Sequence, residues 1–157
     1  MATGSHRAVN EKEESCVFCT SDWFRSAELV FRTDLSIYAS TRDPRDPEEV
    51  LPGCGVIVPI VHRASAFHLT PEEWADTREL LIKVRTALDE RLAPDGYVLG
   101  WNDFPRQGER PAHAHLHVVP RFDDEPLWDR GLRSAVKVPE NIRPSPLRPG
   151  NGRALQR

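Results

Sequence analysis

The stretch His113-Ala114-His115-Leu116-His117-Val118-Val119 alternates histidine with apolar residues and then stays apolar. Side chains alternate between the two faces of a β-strand, so the run predicts a strand with three imidazoles on one face and apolar residues facing a core. Histidine is the side chain that changes charge near neutral pH. Three histidines in strict alternation therefore indicate a catalytic row or a metal site rather than a solvated strand face.

Patterns elsewhere predict more strands and one long helix. Four other runs have the composition of short strands: 28–32, 35–39, 55–59 and 97–101. Thr70-Pro71-Glu72-Glu73 combines an N-cap, a proline at the first helical position and a capping-box glutamate, which predicts a helix start. Residues at helical spacing predict one apolar stripe that faces the core: Trp74, Leu81, Val84, Leu88 and Leu92. Together these elements favour an α+β fold with an antiparallel sheet.

The composition narrows the range of partners. The chain has 157 residues, with 24 acidic against 21 basic side chains and a net charge of −3, which argues against general nucleic-acid binding. Its longest apolar run, residues 56–61, is too short to span a membrane. Residues 1–15 are polar and charged and predict a disordered segment without a signal peptide. Three cysteines cannot all pair internally, and they predict a reducing, cytoplasmic location.

The histidine run resembles the signature of the histidine triad (HIT) family of nucleotide hydrolases and transferases, which is His-φ-His-φ-His-φ-φ with φ apolar. Further features agree in order and spacing with the bacterial branch of that family. They are Cys16-x-x-Cys19, the strand that runs from Val56 into His62, Asn102, Gly108, and Pro120-Arg121 after the triad. The resemblance covers roughly residues 16–122.

The resemblance implies an α+β domain whose antiparallel sheet has about five strands beside one main helix. Two such domains are expected to pair around a two-fold axis into a homodimer. We expect the domain to cover residues 16–138. Residues 139–157, rich in proline and arginine, are expected to form an extended or disordered tail.

The activity that the resemblance implies is hydrolysis or nucleotidyl transfer at the α-phosphate of a dinucleoside polyphosphate or nucleoside phosphoramidate. His115 would attack the phosphorus and form a nucleotidyl-histidine intermediate. His117 would orient the nucleophile, donate hydrogen bonds to phosphate oxygens or protonate the leaving group. Asn102 and Gly108 would contact the substrate.

A structural zinc site is the second expectation. Two cysteines need two further ligands, and the resemblance supplies His62 and His113 for a closed tetrahedral site with Cys16 and Cys19. Zinc would then remove His113 from catalysis. The alternative is that Cys16 and Cys19 are ordinary reduced cysteines and that His62 is a surface turn residue.

Three positions depart from the family pattern. Glu109 and Arg110 stand where the family often has Gln and then Ser or Thr, and Thr41 stands where an acidic residue usually holds the ribose. Arg110 could clamp a phosphate while Glu109 would repel it, or the two form a solvated pair. Two alternatives therefore stay open: a nucleotide-binding regulatory module with little turnover, and a metalloenzyme whose triad itself binds the metal.

Overall fold

The computed structural model describes residues 16–20, 23–25, 27–40, 52–103 and 113–125. The chain divides into two compact units, Met1–Asp123 and Asp124–Arg157. All strands and helices described below belong to the first unit. The predicted boundaries at residues 16, 138 and 139 stay predictions.

A five-stranded antiparallel sheet forms the centre of the first unit. Its strands are β1 (Val30–Arg32), β2 (Ser36–Ser40), β3 (Gly55–Pro59), β4 (Gly96–Trp101) and β5 (Leu116–Arg121). They lie in the order β1-β2-β3-β5-β4, so β5 is held between β3 and β4. The predicted fold, an antiparallel sheet of about five strands with one main helix, is confirmed.

Among the described residues, two α-helices and one short 3-10 helix accompany the sheet. The helix α1 (Val17–Thr20) is one turn long, the 3-10 helix covers Ala66–His68, and the main helix α2 covers Pro71–Leu92. The predicted capping box of α2 is present: the Thr70 hydroxyl accepts the Glu73 N–H at 3.2 Å, and the Glu73 carboxylate accepts the Thr70 N–H at 2.7 Å. At the other end Ala93 adopts a left-handed conformation with φ of 46°.

The helix α2 packs on β1, β2 and β3. Its buried face consists of Glu73, Thr77, Leu80, Val84 and Leu88. The predicted apolar stripe is therefore partly wrong: Trp74 is 44% exposed and contacts Trp101 at 5.5 Å between ring centroids, while Leu80 is fully buried. A helix of this sequence has apolar residues on two adjoining flanks, and contact with the sheet decides which flank is covered.

Burial along β5 follows the predicted alternation. Leu116, Val118 and Pro120 are buried, whereas His117 and Val119 are partly exposed. Ala114 is buried on the same side of the alternation. The strand begins only at Leu116, so His113 and His115 lie in the extended segment that enters it.

No helix within the described segments combines the length and the apolar character that a membrane span needs.

Candidate active site and metal centre

Four metal-ligating side chains from separate parts of the chain converge on one point: Cys16, Cys19, His62 and His113. Cys16 precedes α1 and Cys19 lies within it, His62 follows β3, and His113 precedes β5. Their ligand atoms all lie within 4.8 Å of one another. The sheet brings the two histidines together because β3 and β5 are neighbouring strands.

The separations between these atoms suit a tetrahedral zinc ion. The Cys16 Sγ lies 3.3 Å from the His113 Nδ1, and the Cys19 Sγ lies 3.3 Å from the His62 Nδ1 and 3.5 Å from the His113 Nδ1. Zn–S bonds of about 2.3 Å and Zn–N bonds of about 2.0–2.1 Å place sulfur and nitrogen roughly 3.5 Å apart at the corners of a tetrahedron. The four residues therefore fit a closed Cys2His2 site.

The tautomer of His113 is fixed by the backbone. Its Nε2–H donates to the Pro59 carbonyl at 2.9 Å, so Nδ1 carries the lone pair and faces the two sulfur atoms. Burial, and to a smaller extent the nearby His62 and His115, lowers the pKa of His113 to about 4, against the opposing effect of the Pro59 hydrogen bond. A neutral imidazole held in this orientation is what a metal ligand requires. His113 is buried, whereas His115 and His117 are partly exposed.

The second histidine of the triad has a fixed orientation of its own. The His115 Nδ1–H donates to the backbone carbonyl of His113 at 2.8 Å. Because a carbonyl can only accept, the proton sits on Nδ1 and the lone pair of the ring is on Nε2. His115 is partly exposed and lies outside the cluster of four ligands. Its Nε2 therefore has the electronic form of a nucleophile.

The third histidine has a polar partner at the end of β4. The Asn102 side-chain amide donates to the His117 Nε2 at 3.2 Å, which leaves the His117 proton on Nδ1. The His117 ring lies 4.8 Å from the ring of His115 between centroids. Burial first, and then His115, lowers the pKa of His117 below its ordinary value. This shift favours the neutral form of the His117 ring.

Phe18, which the sequence analysis overlooked, packs against the triad. Its ring centroid lies 5.6 Å from that of His113 and 5.4 Å from that of His115. Trp23 contacts the Phe18 ring edge-on at 4.9 Å. The position of Phe18 between two cysteines was the available signal, since a metal site that ties down α1 must bring the residue between them to the triad as well.

Asp103, also overlooked, joins the end of β4 to the segment that follows His62. Its carboxylate accepts the Ser65 hydroxyl at 2.7 Å and the Ala66 N–H at 2.8 Å. The residue before it, Asn102, is the partner of His117. No local pattern marks such a contact, because its partners lie 37 and 38 positions earlier in the chain.

Several predicted site residues cannot be placed. Gly108, Glu109 and Arg110 lie outside the described residues, as does Thr41. Their proposed contacts with substrate stay predictions. The predicted site residues that the structure does describe all fall into two adjoining groups. One is the ligand cluster, and the other consists of His115, His117 and Asn102.

Comparison with known proteins defines the class of this chain. The sequence model of the HIT domain matches residues 25–124, which include His62 and the whole triad. This match covers more than half of the chain, and the protein therefore belongs to the HIT family. Cys16 and Cys19 lie before the matched region.

Individual relatives agree with this placement. The chain is 31% identical over 105 residues to a bis(5'-adenosyl)-triphosphatase of Dictyostelium discoideum. The aligned region covers 64% of this chain and 66% of that protein, which is just under two thirds. It is 28% identical over 93 residues to the purine nucleoside phosphoramidase of Escherichia coli K12, covering 59% of this chain and 75% of that one. A Zn-bound histidine triad family protein from Mycobacterium smegmatis has the same fold, with a TM-score of 0.52 and 24% identity over 67% of this chain and 73% of that chain.

Proposed function

We propose that this protein is a nucleotide hydrolase or nucleotidyltransferase that acts at an α-phosphate through a covalent intermediate on His115. The substrate class is a dinucleoside polyphosphate or a nucleoside phosphoramidate. Two relatives named for hydrolysis of such compounds support this choice, the bis(5'-adenosyl)-triphosphatase and the purine nucleoside phosphoramidase.

The single observation that carries the proposal is the hydrogen bond from the His115 Nδ1–H to the His113 carbonyl at 2.8 Å. It keeps the lone pair on Nε2, where attack on phosphorus requires it. It also places a carbonyl oxygen against the ring that becomes positively charged once Nε2 is bonded to phosphorus. This partial negative charge stabilises the cationic intermediate more than the neutral ring, which is the condition for catalysis.

The reaction then has two displacements. First the His115 Nε2 bonds to the α-phosphorus, the bond to the leaving group breaks, and the leaving group takes up a proton. Second, the oxygen of water bonds to phosphorus, the phosphorus–nitrogen bond breaks, and a nucleoside monophosphate leaves while the water gives up a proton. An acceptor other than water gives nucleotidyl transfer.

His117 and Asn102 serve the same reaction. With its proton on Nδ1, the neutral His117 ring can donate a hydrogen bond to a phosphate oxygen. The imidazolium form of His117 would be the one that gives a proton to the leaving group. The Asn102 amide fixes that tautomer. Gly108, Glu109 and Arg110 are proposed substrate contacts from the loop before the triad.

Zinc is the proposed structural metal, held by Cys16, Cys19, His62 and His113. The metal would tie α1 to the triad segment and take no part in the displacement at phosphorus. The donor set supports this proposal, since two thiols and two imidazoles are ligands that structural zinc prefers. The fixed tautomer of His113 supports it as well.

The protein is further proposed to form a two-fold homodimer. The edge strand β4 has no neighbour on its outer side within the described sheet, and Leu99 on it is 42% exposed. An apolar edge of this kind favours pairing with another strand. The cytoplasmic location stays a prediction.

The experiment is product analysis by phosphorus NMR with wild type, His115→Ala and His68→Ala. The panel contains adenosine phosphoramidate, guanosine phosphoramidate and diadenosine tetraphosphate. His68 is an exposed histidine outside the site and serves as the matched control. We expect nucleoside monophosphate from wild type and His68→Ala, and none from His115→Ala. Tight nucleotide binding without any product from wild type would instead favour a regulatory binding module.

A further inference from the structure

Arg63 lies at the point where the metal cluster, the triad segment and the main helix meet. It directly follows the ligand His62. Its backbone carbonyl accepts the Ala114 N–H at 2.6 Å, and Ala114 is the residue between His113 and His115. One backbone hydrogen bond therefore joins the two segments that carry the histidine ligands.

The side chain of Arg63 is held by a buried carboxylate. Its Nε lies 3.0 and 2.9 Å from the two carboxylate oxygens of Glu73, and one terminal nitrogen lies 2.9 Å from Oε1. Glu73 is only 4% exposed although it is charged, and it lies in the first turn of α2. The same carboxylate accepts the Thr70 N–H at 2.7 Å. Glu73 thus has two separable tasks, the helix cap and the arginine contact.

We propose that the Arg63–Glu73 ion pair is a positioning device that holds the His62 segment against the triad segment and thereby sets the metal affinity of the Cys2His2 site. This proposal rests on the proposed metal site. The helix cap formed by Glu73 does not need Arg63. Arg63, which is partly exposed, could pair with a surface carboxylate, yet its partner Glu73 is buried. The bidentate contact fixes the backbone of Arg63, and through it the carbonyl that Ala114 binds.

The geometry explains why this position matters for binding zinc. A tetrahedral site loses affinity when its ligands must be reordered at each binding event, so residues that hold the ligands in place contribute to affinity without touching the metal. Of the two histidine ligands, His62 is the partly exposed one. No described hydrogen bond joins its ring to the backbone, whereas the ring of His113 is bonded to the Pro59 carbonyl. Its position depends on the adjoining chain, which Arg63 anchors.

The test compares Glu73→Gln with Thr70→Ala in the full chain. Glu73→Gln keeps the shape of the side chain and an oxygen for the Thr70 N–H, but removes the charge that holds Arg63. Thr70→Ala weakens the same helix cap and leaves the ion pair in place. Zinc dissociation constants are measured by competition with a chromogenic chelator. In metal-free protein, the exchange rate of the Ala114 amide hydrogen is measured by NMR.

We expect Glu73→Gln to raise the zinc dissociation constant about tenfold or more and to speed exchange at Ala114. We expect Thr70→Ala to leave both values near those of wild type. Equal losses in the two variants would overturn the proposal, because they would trace the effect to the helix cap. Wild-type values in Glu73→Gln would overturn it as well.

The proposed metal site is tested separately in the same experiment. If wild type binds no zinc, the proposed metal site is wrong. The exchange of the Ala114 amide hydrogen still decides whether the ion pair positions the triad segment: slow exchange in wild type that is lost only in Glu73→Gln supports this role. Should Glu73→Gln fail to fold, Arg63→Lys replaces it. This variant keeps the charge and loses the bidentate contact, and we expect the same two changes to a smaller degree.

Discussion

The imidazole of His115 is hydrogen-bonded to the backbone of His113 at 2.8 Å, and the imidazole of His113 is in turn hydrogen-bonded to the backbone of Pro59. Each bond fixes which ring nitrogen carries the proton. His113 thereby presents Nδ1 to two cysteines, whereas His115 keeps its lone pair on Nε2. Two histidines two residues apart thus present different ring nitrogens, and we propose that one binds a metal and the other attacks phosphorus.

Zinc content should depend on the ligand cluster of Cys16, Cys19, His62 and His113. We expect about one zinc per chain in the wild type and loss of most of it in Cys16→Ser, because a site with three ligands binds structural zinc poorly. Metal content after gel filtration, measured by inductively coupled plasma mass spectrometry, checks this. Cys54→Ser is the matched control, since Cys54 lies outside the cluster and should keep the metal. Full zinc content in Cys16→Ser would point to the triad itself as the metal site.

The pKa of His117 should lie below the ordinary histidine value of about 6.5, because burial and His115 disfavour its charged form. NMR titration of the ring measures it. Asn102→Asp should raise this pKa, since a carboxylate beside the ring favours the imidazolium. Asn102→Ala provides the control without a charge and should show no comparable rise. A wild-type His117 that titrates at or above the ordinary value would contradict the described environment.

The same shift has a consequence for stability. Because the folded pKa of His117 is lowered, the unfolded chain binds more protons between the two pKa values. The contribution of His117 to the free energy of unfolding is therefore complete above the unfolded value, falls as the pH drops through this window, and levels off below the folded pKa. Urea unfolding of wild type and His117→Asn between pH 7.5 and 5 isolates the contribution. A difference between them that did not change with pH would be inconsistent with the shift.

Shortening Leu80 should lower the free energy of unfolding far more than shortening Ile82, its neighbour on the helix surface. Leu80 is fully buried and Ile82 is 48% exposed. Leu80→Ala should lower the free energy of unfolding by about 2–5 kcal/mol. Ile82→Ala should change it by roughly 0.5 kcal/mol or less. Equal losses in urea unfolding would show that the helix buries a different face.

Dimer formation should depend on the β4 edge and not on the opposite edge of the sheet. Leu99 on β4 and Val30 on β1 have nearly the same exposure, 42% and 40%. We expect wild type and Val30→Glu to elute as dimers and Leu99→Glu to elute as a monomer in light-scattering chromatography, because a buried charge at a paired edge is unfavourable. Dissociation by Val30→Glu alone would assign the interface to β1.

Periodicity in the sequence predicted the faces of the sheet better than the surroundings of the site. Alternation along residues 113–119 correctly placed Ala114, Leu116 and Val118 in the core. It could not predict the burial of His113, because the residues that cover it, Cys16 and Phe18, lie far away in the chain. The resemblance to the HIT family supplied the ligand set that spacing alone left incomplete.

The main helix illustrates a second limit. Thr70 and Glu73 predicted its start from local capping chemistry, which depends on neighbours within one turn. The second role of Glu73, its contact with Arg63, is a tertiary interaction without a local signal. Trp74 was expected in the core from its helical spacing, yet the helix turns its Leu80 flank to the sheet instead.

The covalent intermediate on His115 is tested most directly by trapping it. Wild type, His115→Ala and His68→Ala are mixed with adenosine phosphoramidate labelled at phosphorus and quenched within milliseconds in alkaline denaturant, which preserves a phosphorus–nitrogen bond to histidine. We predict label on the protein in wild type and His68→Ala, located on His115 by peptide mass spectrometry, and none in His115→Ala. Wild type that releases product without any labelled protein, or label on another residue, would contradict the account.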